Sequence, residues 1–339
     1  MTMVAAVPYL EKDAWTDVLR LPKAFSGYGS EPLVQMAAAA HGKTGFLQLH
    51  FELRNGRTHL IRNFSSGQQI VRQVHYLDTA IEDMAVVFIQ NVGAGILQGD
   101  RLRVELVIGD GAKVLVANQG ATKVMEMSHN YASQRVDVTV GEGAYAEVLM
   151  DALIPASGSR LYNEVNLTVD PSATLLYSEH LTPGRVGHGE SWAFDLLYSR
   201  IRCHRPTGEL IMADTNVLEP RRSAVTTPGL FGEFSDMSVM FAVAESHDAS
   251  PLADAMHDNL QDIEGVVGSA SVLPSEVGAH SRMLGSGTTR TAAATQLSWR
   301  AARRQLLGVD TPPIYRIKHG FEPHVTRREG SKRRDSNGH

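Results

Sequence analysis

The chain has 339 residues, of which 43% are hydrophobic and 20% charged, with 32 Lys and Arg against 37 Asp and Glu and a formal net charge of -5. This composition excludes a mostly disordered chain and a coiled coil, and the mild negative charge gives no global attraction to nucleic acid or an anionic membrane. A single cysteine, Cys203, excludes an internal disulfide framework and any multi-cysteine zinc or iron–sulfur site.

A lone cysteine also points to a reducing compartment. No basic residue precedes the short N-terminal apolar run, and Glu11-Lys12-Asp13 interrupts it, so it does not read as a signal peptide. No run reaches the roughly 18 apolar residues that a membrane span needs. A cytoplasmic, membrane-free protein is expected.

Residues 1–44 read as an appended arm, expected to be poorly ordered. From Gly45 the hydrophobic period becomes two, with Phe46, Leu47, Leu49, Phe51 and Leu53 in a β-rich run. Asn55-Gly56 then marks a type I′ hairpin turn, because both central residues need positive φ. His59–Ile61 returns as a strand.

The middle of the chain repeats a strand, a turn, a small residue and a second strand. The first copy is Val104–Ile108 followed by Gly109-Asp110-Gly111-Ala112. The second is Val136–Val140 followed by Gly141-Glu142-Gly143-Ala144, and the third is Val165–Val169 followed by Asp170-Pro171-Ser172-Ala173. The alanines Ala112, Ala144 and Ala173 lie about 30 residues apart. Leu196–Cys203 followed by Glu209–Ala213 reads as a fourth copy. A hairpin in each unit predicts stacked β rungs, with a plain antiparallel sandwich as the alternative. Either way the class is all-β, β-helix-like, followed by two C-terminal helices.

The first helix is expected at about 251–264. Ser250 would be its N-cap, Pro251 its first residue, and Leu252, Met256, Leu260 and Ile263 one face. The second is expected at about 289–307, stopped by Gly308, with Ala293, Leu297, Trp299, Ala301 and Leu306 facing inward. The β domain with its helices spans 45–318, and 319–339 form a charged tail.

Two nucleotide motifs fall short. Gly93-Ala94-Gly95 follows a strand, but Gln98 stands where the third glycine belongs and a strand follows. Gly42-Lys43-Thr44 resembles the end of a P-loop, yet Ala37 replaces its first glycine. Met125–His129 offers soft and borderline ligands, though such a stretch more often forms a core edge and a turn. Cys203 and His204, as strand neighbours, point to opposite faces. No nucleophile elbow or signature carboxylate pair is present. Asp100, Asp151, Glu179, Glu190 and Asp214 lie near turns or strand ends. Acids there are ordinarily solvated turn formers, and the alternative is a polar passage or partner surface.

One ordered string decides the reading. Gly99-Asp100-Arg101-Leu102, Gly120-Ala121-Thr122-Lys123, Ala132-Ser133-Gln134 and Ala144–Arg160 come first. Leu175–Glu179, Gly184-Arg185-x-Gly187-x-Gly189-Glu190 and Pro312-Pro313-x-Tyr315-Arg316-x-Lys318 complete it. This string resembles the urease accessory protein UreD (UreH) family from about Gly45 to Lys318. Departures are Ala94 and Gln98, which dilute the glycine run, Asn118 for a threonine, and Met125 for an aromatic residue. Met150 and Ala152 stand in place of two prolines around Asp151.

The resemblance implies a non-enzymatic scaffold with a β-helix-like body and two helices. It implies binding to apo-urease and to UreF, which recruits the GTPase UreG, and delivery of nickel to the urease active site. No tightly bound cofactor is implied, and nickel would pass in transit. Asp100, Glu147, Asp151, Glu179 and Asp214 carry over as candidate polar lining, with Lys123 and Arg185 as cations that could fix the loops. The terminal helix pair becomes the candidate UreF surface. Two further classes stay open: a β-solenoid carbohydrate-active enzyme and a nickel-independent binding scaffold.

Overall fold

The computed structural model describes residues 21–31, 44–319 and 324–328. Strands β1 (Thr44–Arg54) and β2 (Arg57–Ser66) form the expected hairpin, with Asn55 at φ 52° and Gly56 at φ 76°. Then come β3 (Gln69–Ile70), β4 (Ala85–Asn91), β5 (Arg101–Ile108), β6 (Lys113–Asn118), β7 (Thr122–Val124), β8 (Ala132–Val140), β9 (Tyr145–Pro155), β10 (Arg160–Val169) and β11 (Thr174–Leu181). The last strands are β12 (Leu196–His204), β13 (Leu210–Leu218), β14 (Asp236–Val243), β15 (Val266–Val272) and β16 (Gly278–Gly285).

Among the described residues these strands make two packed sheets. The seven-stranded sheet runs β13-β12-β10-β8-β5-β1-β2. The nine-stranded sheet runs β15-β16-β14-β11-β9-β6-β4-β3, with β7 beside β9. The chain alternates between them: β5, β8 and β10 lie in one sheet, while β6, β9 and β11 lie in the other. Neighbours β5, β8, β10 and β12 pair in parallel, as do β6, β9 and β11.

The repeat therefore makes solenoid coils rather than the hairpins expected of each unit. The two strands of a unit face each other across the core because the turn between them is an arc that changes sheets. Ala112, Ala144 and Ala173 are buried inside these arcs. The arcs stack: the Gly111 N–H donates to the Glu142 carbonyl at 2.8 Å, Tyr145 N–H to Ala112 at 2.9 Å, and Thr174 N–H to Ala144 at 2.9 Å. The expected fourth copy departs from this pattern. β12 and β13 form a true antiparallel hairpin in one sheet. With antiparallel β14, β16 and β15 it ends the stack of parallel coils.

The burial patterns follow the architecture. β5 alternates strictly, one side chain into the core and the next partly exposed. β6 and β11 are buried on both faces and read as nearly continuous apolar runs. The inter-sheet core holds Leu49, Val104, Leu106, Val138, Leu167, Val148 and Leu175. A second core lies on the outer face of the nine-stranded sheet, under the helices, and includes Leu115, Leu176, Met240, Leu252, Met256 and Trp299. Each such leucine contributes about 1.5–3 kcal/mol of hydrophobic stabilisation.

Ahead of β1 lies the short helix α1 (Ser26–Gly29), inside the segment expected to be poorly ordered. Residues 21–31 of that arm are seated on the β body, while the remainder of 1–44 ahead of β1 lies outside the described residues. Helix α2 (Ala249–Leu260) begins and ends earlier than expected. Asp248, not Ser250, is the N-cap and accepts the Ser250 N–H at 3.1 Å, and Ile263 is buried beyond the helix in a turn. Helix α3 (Thr288–Leu307) matches its expected span, and Gly308 at φ 70° terminates it. Leu297 packs at a separate small core beside Met283 and Ala294. A short helix, α4 (Ile314–His319), follows. In the tail, the Thr326 carbonyl accepts the Glu264 N–H at 2.7 Å, which holds residues 324–328 beside the turn after α2. Among the described residues no helix is long and apolar enough to cross a membrane.

Helix α3 is fixed by charge as well as by apolar contact. Arg303, fully buried, pairs with Asp78 and with Glu147 at 3.2 Å. Tyr145 donates its hydroxyl to Glu147, and Asp78 also accepts the Ala80 and Ile81 N–H groups at 2.9 and 3.0 Å. A pair this buried need not exceed an apolar replacement in stability, but breaking it strands two charges. Arg303→Met should cost about 3–5 kcal/mol in urea unfolding. A loss under about 1 kcal/mol would show that the acids find water or protons instead.

Gly95 is required for close approach. It sits at φ 132°, and a Cβ there would lie 2.4 Å from the Lys123 carbonyl, which accepts the Ile96 N–H at 2.8 Å. Gly187 has open space and an ordinary φ. Gly95→Ala should destabilise by about 1 kcal/mol or more and Gly187→Ala by less than about 0.5 kcal/mol in thermal unfolding. Equal effects would remove the close-contact argument.

Candidate functional site

In-register pairing stacks one polar row inside the seven-stranded sheet. Gln134 on β8 is level with Asn163 on β10, Ser199 on β12 and Asn216 on β13. The next inward row on one side is Ala132, Leu161, Leu197 and Leu218, and on the other Val136, Val165 and Ile201. The polar row is thus a seam between two apolar layers. Burying such groups costs free energy unless each finds a partner.

The partners come from the row itself and from the facing sheet. Gln69 Nε2 donates to Gln134 Oε1 at 3.4 Å, and Gln134 Nε2 donates to Asn163 Oδ1 at 3.4 Å. Asn163 Nδ2 reaches Ser199 Oγ at 3.1 Å and Glu179 Oε1 at 3.2 Å. Glu179, on β11, also accepts from Tyr177 Oη at 2.7 Å and Ser199 Oγ at 3.3 Å. Among the described residues the amide oxygens Gln69 Oε1 and Asn118 Oδ1, beside the seam, are buried without a hydrogen-bond partner, as is Gln48 Oε1 away from it. The seam opens into a cavity of about 60 Å³, lined by Asn118, Asn163, Glu179 and Ser199 among others, which has room for water.

A second cavity, about 170 Å³, lies on the outer face of the nine-stranded sheet beneath α3 and α4. Met150, Asp151 and His180 line both cavities. The cause is a β-bulge. Ser178 pairs with Leu149 and His180 with Ala152, so Met150 and Asp151 together oppose Glu179. A bulge redirects side chains and opens the ladder locally. On the helix side Asp151 pairs with Lys318 at 2.6 Å, and His180 Nε2 lies 3.2 Å from Asp236 Oδ1.

The five candidate acids are therefore not one cluster. Glu179 and Asp151 stand at the two cavities. Asp214 lies at the sheet edge, 2.7 Å from Arg282. Glu147 is held under α3. Asp100 is buried at the start of β5, where it accepts the Leu97 N–H at 2.8 Å and lies 3.4 Å from Gln68 Nε2. Arg303 holds Glu147, Lys318 holds Asp151 and Arg282 holds Asp214. Arg185 instead pairs with Glu190, whose carboxylate also accepts the Ser157 N–H at 2.9 Å, and exposed Lys123 makes no ion pair with any of the five.

Among the described residues no three His, Cys, Asp or Glu groups converge as a metal cage. Cys203 is buried in the inter-sheet core, its thiol pushed up to about 12 by desolvation, while His204 faces the other way. The diluted glycine run opens no helix, and of the P-loop-like tripeptide only Thr44 lies within the described residues. Sequence reading missed Gln134, Asn163 and Ser199 as a set. For two of them the signal was present, since Gln134 and Asn163 each stand two residues before the valine that opens a repeat copy, Val136 and Val165, whereas Ser199 lies inside the fourth copy and only register with Asn163 brings it into the row.

Enclosure between the sheets pushes the Glu179 carboxyl above its ordinary value of 4.5, and Asp214 adds to the rise against the hydrogen bonds from Tyr177, Ser199 and Asn163. Between 4.5 and the raised value the folded chain binds more protons than the unfolded one at this site. Stability therefore falls as pH rises through that window and stays lower above it. Glu179→Gln escapes the penalty, so its stability relative to the parent should improve as pH rises from about 4 to 8 in thermal unfolding. A difference that is flat with pH would contradict the desolvated carboxylate.

The chain resembles known proteins along nearly all of this body. Residues 43–319 match the family model described as UreD urease accessory protein. A relative named urease accessory protein UreD 2, from Streptomyces griseus, is 36% identical over 281 residues, covering 82% of this chain and 96% of the relative. Urease accessory protein UreD from Photorhabdus laumondii is 34% identical, covering 82% and 87%. That of Cenarchaeum symbiosum is 30% identical, covering 83% and 98%. The chain belongs to the UreD family of urease accessory proteins.

Proposed function

We propose that the chain is a non-enzymatic, cytoplasmic scaffold that binds apo-urease and UreF, with UreG joining through UreF, and passes nickel as cargo toward the urease active site. The observation that carries this reading is the polar seam between two apolar layers, with the unpartnered amide oxygens beside it and the bulge whose Met150, Asp151 and His180 line the cavities on both sides. A purely structural interior has no need of that row, because apolar residues at the same positions would pack without demanding partners.

Nickel(II) accepts oxygen and imidazole ligands. The seam presents amide oxygens and one carboxylate, and the bulge adds a histidine and a second carboxylate. Movement requires that no site hold the ion too tightly. Neutral amides at successive positions meet that condition, and Glu179 supplies attraction at one point. The raised Glu179 value suits the role, since its carboxyl can exchange a proton for a cation.

Helices α2 and α3 support the proposed UreF surface. They cover the outer face of the nine-stranded sheet, on the side where the second cavity lies. Truncation before α2 would remove Arg303 and strand Glu147 and Asp78, so loss of binding by such a variant would report misfolding as readily as contact. Point substitutions on the seam avoid that confusion.

Co-expression with urease and its other accessory proteins tests the reading. Glu179→Gln and Asn163→Leu should lower the nickel content of purified urease several-fold, while the chain still co-purifies with its partners. Normal nickel loading by both variants would sink the passage through this seam.

A further inference from the structure

Residues 21–31 occupy a shaped site on the outer face of the seven-stranded sheet, away from both cavities. Phe25 is fully buried against Tyr131, Tyr162 and Tyr198, with ring centroids 5.0, 5.8 and 6.4 Å away. Leu196 completes this cluster. The tilted and edge-on ring geometries are the favoured ones for aromatic packing. Tyr28 lies under the Arg160 guanidinium, 4.2 Å from its ring centroid. The Glu31 carboxylate accepts the Asn130 N–H at 2.6 Å and lies 3.3 Å from Arg160 Nη1, while the Glu31 carbonyl accepts Asn130 Nδ2 at 2.9 Å.

The receiving groups are fixed by the β body itself. Arg160 Nε donates to Asp195 at 2.8 Å, Arg101 donates to Asn130 Oδ1 at 2.9 Å, and Arg200 donates to Tyr162 Oη at 2.9 Å. Asn130 holds φ 57°, a left-handed conformation that asparagine tolerates better than most residues. The site is thus preorganised, and its chemistry is specific: an aromatic box beside a guanidinium and a backbone N–H. The docked segment lies outside the 43–319 region that matches the family.

We propose that this surface is a peptide-binding site for a segment carrying an aromatic residue and, six residues on, a carboxylate, and that residues 21–31 are its built-in ligand. Three anchors make a small contact, so covalent connection matters. It presents the segment at an effective concentration on the order of millimolar, enough to fill a site of modest intrinsic affinity. The chain's own arm therefore keeps the box closed against the same motif arriving on another molecule. This inference is independent of the nickel reading.

The test uses full-length chains and a fluorescent peptide with the sequence of residues 21–31, read by anisotropy. Phe25→Ala in the chain should open the site, so that the peptide binds it saturably and at least tenfold more tightly than it binds the parent chain. The peptide carrying Phe25→Ala should lose that binding. If the Phe25→Ala chain fails to fold, the double variant Tyr28→Ala, Glu31→Gln weakens the arm without touching the box and carries the same expectations. Absence of saturable binding to a folded, arm-weakened chain overturns the proposal, as does equal binding to parent and variant. A parent chain that dimerises in size-exclusion chromatography, and whose dimer is lost with Phe25→Ala, would overturn the assignment of the arm to its own body.

Discussion

Successive coils of the β body pair in parallel and in register, so each inward side chain stacks on its counterparts in the coils before and after. The small residues at the arcs make this possible, because Ala112, Ala144 and Ala173 let the chain cross from one sheet to the other within a few residues. In-register stacking then multiplies every local choice. A valine at one position becomes a valine layer, and an amide at another becomes a row of amides. The seam from Gln134 to Asn216 exists because the same offset carries a polar residue in successive strands. Its hydrogen bonds close because the stacking brings one amide within reach of the next.

The same register explains why the nine-stranded sheet needs its helices. A strand stacked between parallel neighbours has its inner face in the inter-sheet core. Where its outer face is also apolar, as in β6 and β11, something must cover it. Helices α2 and α3 do so with Leu252, Met256 and Trp299. Glu147 complicates that cover, since it projects from β9 into the helix side rather than into the seam. Arg303 is the response from α3, and Asp78 and Tyr145 complete the partners. One of the acids singled out for passage thus serves to seat the helix.

Much of the fold was legible in the sequence. The period of about 30 residues, the Asn55-Gly56 turn, the change of pattern after residue 244 and the stop at Gly308 are all local signals, and local signals survive into the structure. What the repeat could not reveal was whether each turn folds back within a sheet or crosses between sheets. Both use Gly, Asp and Pro, and only the packing of the arcs decides. The N-cap of α2 moved to Asp248 for a similar reason, since Asp248 and Ser250 are both good capping residues. The site was less legible. Acids are conspicuous in a sequence, but Asp100, Glu147 and Asp214 lie away from the two cavities. Asn163 and Gln134, which build the seam, are inconspicuous until register places them side by side.

The bulge at Met150 and Asp151 is where these threads meet. A regular β9–β11 ladder would give the nine-stranded sheet an unbroken wall, with Glu179 on one side and Lys318 on the other. One extra residue in β9 breaks the alternation. Met150, Asp151 and His180 then reach the inter-sheet cavity and the helix-side cavity alike. Asp151 is held from the helix side by Lys318, whose ammonium burial disfavours and whose carboxylate partner supports. In the proposed passage that ion pair would stand between the two cavities, and its strength would set how readily the carboxylate turns to a cation. A carboxylate that is to yield to a cation, as the proposed passage requires, is better held by one partner than by several, and Asp151 has one ion-pair partner among the described residues. Glu147, tied by Arg303 and Tyr145 and covered by α3, lacks that freedom.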